Sequence, residues 1–203
     1  MELLAGMGQR FLRFCERFGR HFGRRTRTVE TAVTHSLRGL LQAEIKHRER
    51  MAEGVPAADH HALPHLLSES SWTERAVLDP VAQAATRHLG GHPESSLIID
   101  ERGCPKKGTR SVGVARPGCG QWGTVENCQV GVFAALGRGT EAPLSDERLF
   151  VPARWTADPA RCQAAGIPVD RCDFTRQPDL AWAMITHARQ QGIGVAWVGF
   201  DGC

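Results

Sequence analysis

Two aspartates close apolar runs in this chain: Ile98-Ile99-Asp100 and Val198-Gly199-Phe200-Asp201. Short branched apolar runs mark buried strands, and a carboxylate at the tip of such a strand is held by the sheet while it faces solvent. Two strands of this kind lying side by side put both carboxylates within reach of one divalent cation. Mg²⁺ takes such a site, with one or two carboxylates, several waters and substrate phosphate. Paired metals then activate an attacking oxygen and stabilise a leaving one in phosphodiester chemistry. Spacing alone leaves a second reading open, because aspartate also closes strands for purely structural reasons.

Other residues offer less. Lys106-Lys107, in the run Gly103-Cys104-Pro105-Lys106-Lys107-Gly108, form a pair in a glycine-bounded turn. They could meet a DNA phosphate as point charges or stand solvated. His60, His61 and His65 lie close in sequence, but no carboxylate or cysteine joins them, so zinc is not expected. The seven cysteines, at 15, 104, 119, 128, 162, 172 and 203, are odd in number and contain no CxxC. Neither a disulfide framework nor a zinc knuckle is indicated, and a reducing cytoplasm is the simplest compartment.

Charge is unevenly spread. Residues 1–50 hold eleven Lys or Arg against five Glu, about +6, which leaves about −3 for the remainder of a chain whose net charge is +3. A basic start of this kind suits a nucleic-acid-facing end, with Arg24, Arg25 and Arg27 as candidate DNA contacts. A solvated helix face explains it equally well. Apolar residues at 41% and charged residues at 23% fit a globular protein rather than a disordered one. Arginines interrupt the N-terminus from Arg10 onwards, so neither a signal peptide nor a membrane span is expected.

The elements that must position these groups fall into two regions. Residues 1–92 read as helical. Phe11, Phe14, Phe18 and Phe22 share one helix face, a second helix is expected over 29–51, and a short one over 57–67. Ser71 resembles a cap for a helix over 76–89, and Gly90-Gly91-His92-Pro93 breaks it. From 93 the period changes to strands, at 97–99, 111–115, 128–136 and 142–151, with a glycine-rich hairpin loop over 117–123. Residues 156–175 read as loop, Pro178 opens a helix to residue 191, and 195–200 forms a last strand.

Several ordered strings resemble one family. The run from Leu97-Ile98-Ile99-Asp100-Glu101-Arg102-Gly103 to Val112-Gly113-Val114-Ala115-Arg116 is similar to the segment around the first catalytic aspartate of insertion-sequence transposases with a DDE endonuclease domain. The resemblance continues through Glu126-Asn127-Cys128-Gln129-Val130-Gly131-Val132-Phe133, then Asp146-Glu147-Arg148-Leu149-Phe150-Val151-Pro152 with Trp155. It resumes at Ala165-Gly166-Ile167-Pro168 and ends with Trp197-Val198 leading into Asp201. Gly39-Leu40-Leu41, Glu44, Lys46 and Met51-Ala52-Glu53 match the helical N-terminal region of that family.

The resemblance implies an α/β fold: an N-terminal helical domain (1–92), then an incomplete RNase H-like mixed sheet with flanking helices (93–203). It implies that Asp100 and Asp201 are the first and second catalytic aspartates and ligands of a two-metal Mg²⁺ site. The implied activity is phosphodiester hydrolysis at the ends of an element, then strand transfer. The partners are DNA, as terminal inverted repeats and target, and a possible second copy in a homodimer. The family's third acidic residue lies further on and has no counterpart here, so the expectation is a truncated transposase, inactive alone. Arg102 stands where the family has a small Ser or Thr. The alternatives are a non-catalytic DNA-binding remnant, and a ribonuclease or resolvase with the same metal logic.

Overall fold

The structure, a computed structural model, describes residues 2–22, 27–45, 47–56, 58–59, 61–62, 65–66, 69, 72–115, 127–168 and 171–200. It divides into two compact units, Met1–Pro80 and Val81–Cys203. The expected hairpin loop at 117–123 and the candidate cap Ser71 lie outside the described residues.

The first unit carries helices α1 (Glu2–Gly19), α2 (Arg27–Gln42) and α3 (Arg48–Glu53). Ala32, Val33 and Leu66 are buried, with Phe22, Val29, Leu37, Ala62 and Trp72 packed against them, whereas Leu40, Leu41 and Ile45 stay exposed. Trp72 lies 5.1 Å from Phe22, ring to ring, and its indole N–H donates to the Leu66 carbonyl at 2.6 Å. Along α1 the phenylalanine stripe is only partly used: Phe18 is buried, whereas Phe14 stacks on it at 4.6 Å and stays 46% exposed.

One continuous helix over 29–51 is corrected to two. The chain turns after Gln42 so that α3 folds back onto α2, and Met51 comes to rest over Gly39. A Cβ on Gly39 would stand 2.7 Å from that of Met51, so the bare glycine is what admits the return.

Helix α4 (Glu74–Leu89) begins where Thr73 Oγ1 accepts the Ala76 N–H at 3.4 Å. Beyond it, β1 (Ser96–Pro105), β2 (Cys128–Gly137), β3 (Leu144–Leu149) and β4 (Trp197–Phe200) form one mixed sheet in the order β3-β2-β1-β4. β2 runs antiparallel to β1 and to β3, and β4 lies parallel to β1. Leu97, Ile99, Val132, Ala134 and Leu136 point to one face and bury against Ala82 of α4, Met184 and Ala188 of α7 (Gln177–Gln190), and Ile193. The fold is thus mixed α/β, an RNase H-like sheet with flanking helices. Among the described residues no helix is long and apolar enough to cross a membrane.

Three expectations change on this face of the molecule. Residues 111–115 are not a strand: residues 111–113 turn, Gly113 takes φ 72°, and only Ala115 bridges to Cys128. Residues 156–175 are not all loop: after α5 (Ala153–Thr156) comes α6 (Pro159–Ala164), started by the Asp158 carboxylate on the Arg161 N–H at 3.0 Å. β1 does not stop at Ile99 but continues to Pro105, because β2 is long enough to pair with it as far as Cys128.

Backbone docks on backbone where β4 begins. The Gly91 N–H donates to the Gly194 carbonyl at 2.8 Å, and the Ser95 carbonyl accepts the N–H groups of Ala196 at 2.8 Å and Trp197 at 3.3 Å. Ser95 is fully buried and bonds through its hydroxyl to the Leu89 carbonyl at the end of α4. That junction sets the parallel register Ser96 to Trp197, Leu97 to Val198, Ile98 to Gly199 and Ile99 to Phe200.

Candidate active site

Asp100 lies within β1, opposite Phe133 of β2, not at the strand tip. By strand alternation its side chain leaves the face opposite the buried Leu97 and Ile99. It is exposed, and its Oδ1 accepts the Glu101 N–H at 2.8 Å. Ile98, Arg102 and Phe133 share that open face, with the Phe133 ring lying over Gly131, where an added Cβ would meet it at 2.8 Å. The site around Asp100 is therefore shallow, with the largest neighbouring side chain lying flat along the sheet.

Asp201, Arg24 and Arg25 lie outside the described residues. Arg27 opens α2. In sequence, the described register pair Ile99–Phe200 is followed in both strands by an aspartate. Among the described residues no group of three or more His, Cys, Asp and Glu converges on a cation position. Asp100 by itself suits a hard divalent cation, being an exposed carboxylate oxygen donor on a rigid strand.

The turn after β1 is held more firmly than its sequence suggests. The Lys106 N–H donates to the Asn127 carbonyl at 2.8 Å, and the Gln129 side-chain amide to the Val112 carbonyl at 2.8 Å. Trp155 is 1% exposed and its indole N–H reaches the Val114 carbonyl at 2.8 Å. The Arg161 guanidinium sits 3.8 Å from the centre of the Trp155 ring and donates to the Thr109 carbonyl at 3.1 Å. At Gly113 a Cβ would stand 2.8 Å from the Phe150 carbonyl. Lys107 and Arg110 are exposed on this pinned segment, and Lys106 is half-buried. Trp155 stood in a recognisable string without a role. Arg161 gave no signal, since its partner is 52 residues away.

Among the described residues most cysteines are thiols. Cys15, Cys104, Cys162 and Cys172 are free, whereas Cys128 is disulfide-bonded, a pairing that spacing does not reveal. Cys162 donates to the Trp155 carbonyl at 3.2 Å. The neighbouring Cys172 thiol, and then burial, push the Cys162 pKa up to about 11. Burial also raises that of Cys15. Because the thiolate is the reactive form, a neutral-pH alkylating reagent is expected to label Cys104 and Cys172 well before Cys15 and Cys162. Peptide mass spectrometry after brief exposure checks the order, and early labelling of Cys162 would contradict it. The linkage has a definite sign. A thiol that keeps its proton longer when folded costs nothing at neutral pH, and stability falls as pH rises from about 9 towards about 11.

Neither the curated proteins nor the solved structures compared with the chain match it. Residues 17–203 match the family described as DDE superfamily endonuclease. Domains of that superfamily act on nucleic acid and use divalent metal. The match spans both units and nearly the whole chain, and with the mixed sheet it settles membership: the chain belongs to the DDE superfamily endonucleases.

Proposed function

We propose that this chain acts in DNA transposition, with Asp100 and Asp201 at its site, by Mg²⁺-dependent phosphodiester hydrolysis and strand transfer at insertion-sequence ends. The observation that carries the reading is the parallel pair Ile99–Phe200, each residue followed in the sequence by an aspartate, within a DDE endonuclease family match. Asp100 and Asp201 would hold the cation. When bound, it supplies Lewis-acid activation and charge stabilisation at the phosphate. Asp100 contributes a carboxylate fixed by strand pairing and by its bond to the Glu101 N–H. The shallow open face leaves room for a phosphodiester backbone to approach it.

The resemblance includes a third acidic residue that neither Asp100 nor Asp201 supplies, so these two carboxylates by themselves are expected to retain DNA without turning it over. The test incubates the purified chain with terminal-repeat DNA and Mg²⁺. Cleavage that disappears in Asp100→Ala would sink the expectation of inactivity and establish the catalytic role together.

A second reading, a non-catalytic DNA-binding remnant, draws on the basic excess of residues 1–50. Neutralising Arg24, Arg25 and Arg27 together is expected to flatten the plot of log affinity against log salt by about 2.7, at roughly 0.9 per phosphate contact. An unchanged slope in a binding titration removes that segment from the interface.

A further inference from the structure

We propose that Arg161, stacked on Trp155, is a positioning residue that holds the basic turn after β1 in place for DNA phosphates. The inference rests on the reading of the chain as a DNA-acting endonuclease and adds to it a residue and a second contact region. Three observations converge. The guanidinium is fixed over the indole at 3.8 Å, so its direction is set before any ligand arrives. It spends a donor on the Thr109 carbonyl at 3.1 Å, between the exposed Lys107 and Arg110. The same turn is tied at Lys106, Val112 and Val114 by Asn127, Gln129 and Trp155.

The consequence is geometric. From Asp100 to Pro105 is five residues of strand, about 17 Å at about 3.3 Å per residue. Measured along the axis of a DNA duplex, where each strand carries one phosphate per about 3.4 Å, that is about five nucleotides. Lys107 and Arg110 are thus placed to grip backbone several nucleotides away from the phosphodiester at Asp100, with the open-face Arg102 between. Fixing the turn in advance spares the ordering that a loose segment would undergo on binding.

Arg161 could act by position or as a phosphate contact itself, and the salt slope separates the two. The test titrates a short DNA duplex against the whole chain between about 50 and 200 mM salt. Lys107→Ala with Arg110→Ala is expected to flatten the slope by about 1.8, two phosphate contacts' worth. Arg161→Ala is expected to bind about five- to tenfold more weakly with the slope unchanged. Arg161→Lys, which keeps a cation over the ring and a donor towards Thr109, is expected to recover most of the loss. A readout free of DNA accompanies these: trypsin should cut after Lys106, Lys107 or Arg110 faster in Arg161→Ala than in the parent, at unchanged thermal stability.

The proposal is overturned if Arg161→Ala leaves affinity and trypsin resistance unchanged. It is equally overturned if that change flattens the slope by about one contact, which makes Arg161 a direct ligand. If the Lys107–Arg110 pair leaves the slope intact while Arg161→Ala speeds proteolysis, positioning stands and the DNA role of the turn fails.

Discussion

Asp100→Asn is expected to weaken divalent-cation binding by more than about 100-fold. Loss of an outer partner that merely orients a metal ligand costs about 10- to 100-fold, so loss of a ligand should exceed that range. Asparagine keeps the volume and a carbonyl oxygen, and it can still accept the Glu101 N–H that the Asp100 carboxylate accepts at 2.8 Å. Strand geometry should therefore survive, and the deficit can be charged to the lost negative charge on a hard-cation site. Mn²⁺ titration followed by electron paramagnetic resonance reads the effect, with circular dichroism as the control for folding. Equal Mn²⁺ affinity in the two proteins would falsify the assignment of Asp100 as a ligand.

Trp155→Ala is expected to lower stability by about 3–5 kcal/mol, the usual cost of emptying a buried large aromatic site. Trp155 is among the largest fully buried side chains of the protein at 1% exposure. Two further losses accompany the cavity: the Val114 carbonyl loses its indole donor, and Arg161 loses the ring beneath it. Trp155→Phe separates the contributions, since it retains most of the packing and a ring while removing the N–H. Denaturant midpoints should fall in the order parent, Phe, Ala. A phenylalanine variant as unstable as alanine would show that the hydrogen bond, not the packing, dominates.

Much of the sheet was legible because β1, β2 and β4 each carry a short apolar run. Leu97-Ile98-Ile99, the Cys128–Leu136 stretch and Trp197–Phe200 all appear as strands, and Pro178 does stand in the first turn of α7. The continuation of β1 past Asp100 was not legible, because its exposed face carries Asp100 and Arg102 and so breaks the apolar pattern without breaking the pairing. Helix α6 is too short for periodicity, and its signal is only the Asp158-Pro159 start. The 111–115 run has strand-like residues, but Gly113 at φ 72° under the Phe150 carbonyl makes it a turn.

The candidate site divides in the same way. Asp100 and Asp201 are candidates because apolar runs end in a carboxylate there and because the family strings include them; the structure describes only Asp100. Arg161 was invisible, because its reach to Thr109 depends on α6 folding back across 52 residues. The break between α2 and α3 was hidden for a similar reason. It depends on Met51 meeting Gly39, a contact between positions that a single continuous helix would hold far apart.

The junction at Gly91 and Gly194 acts as a common origin from which two lengths of chain are counted out. From the Gly194 carbonyl and the Gly91 N–H the two strands leave side by side, locked at Ser95, and β1 then counts its own residues to Asp100. A single residue inserted between Ser95 and Asp100 would move that carboxylate by about 3.3 Å and turn it to the opposite face of the sheet. This segment should accordingly tolerate changes of residue type far better than any change of length.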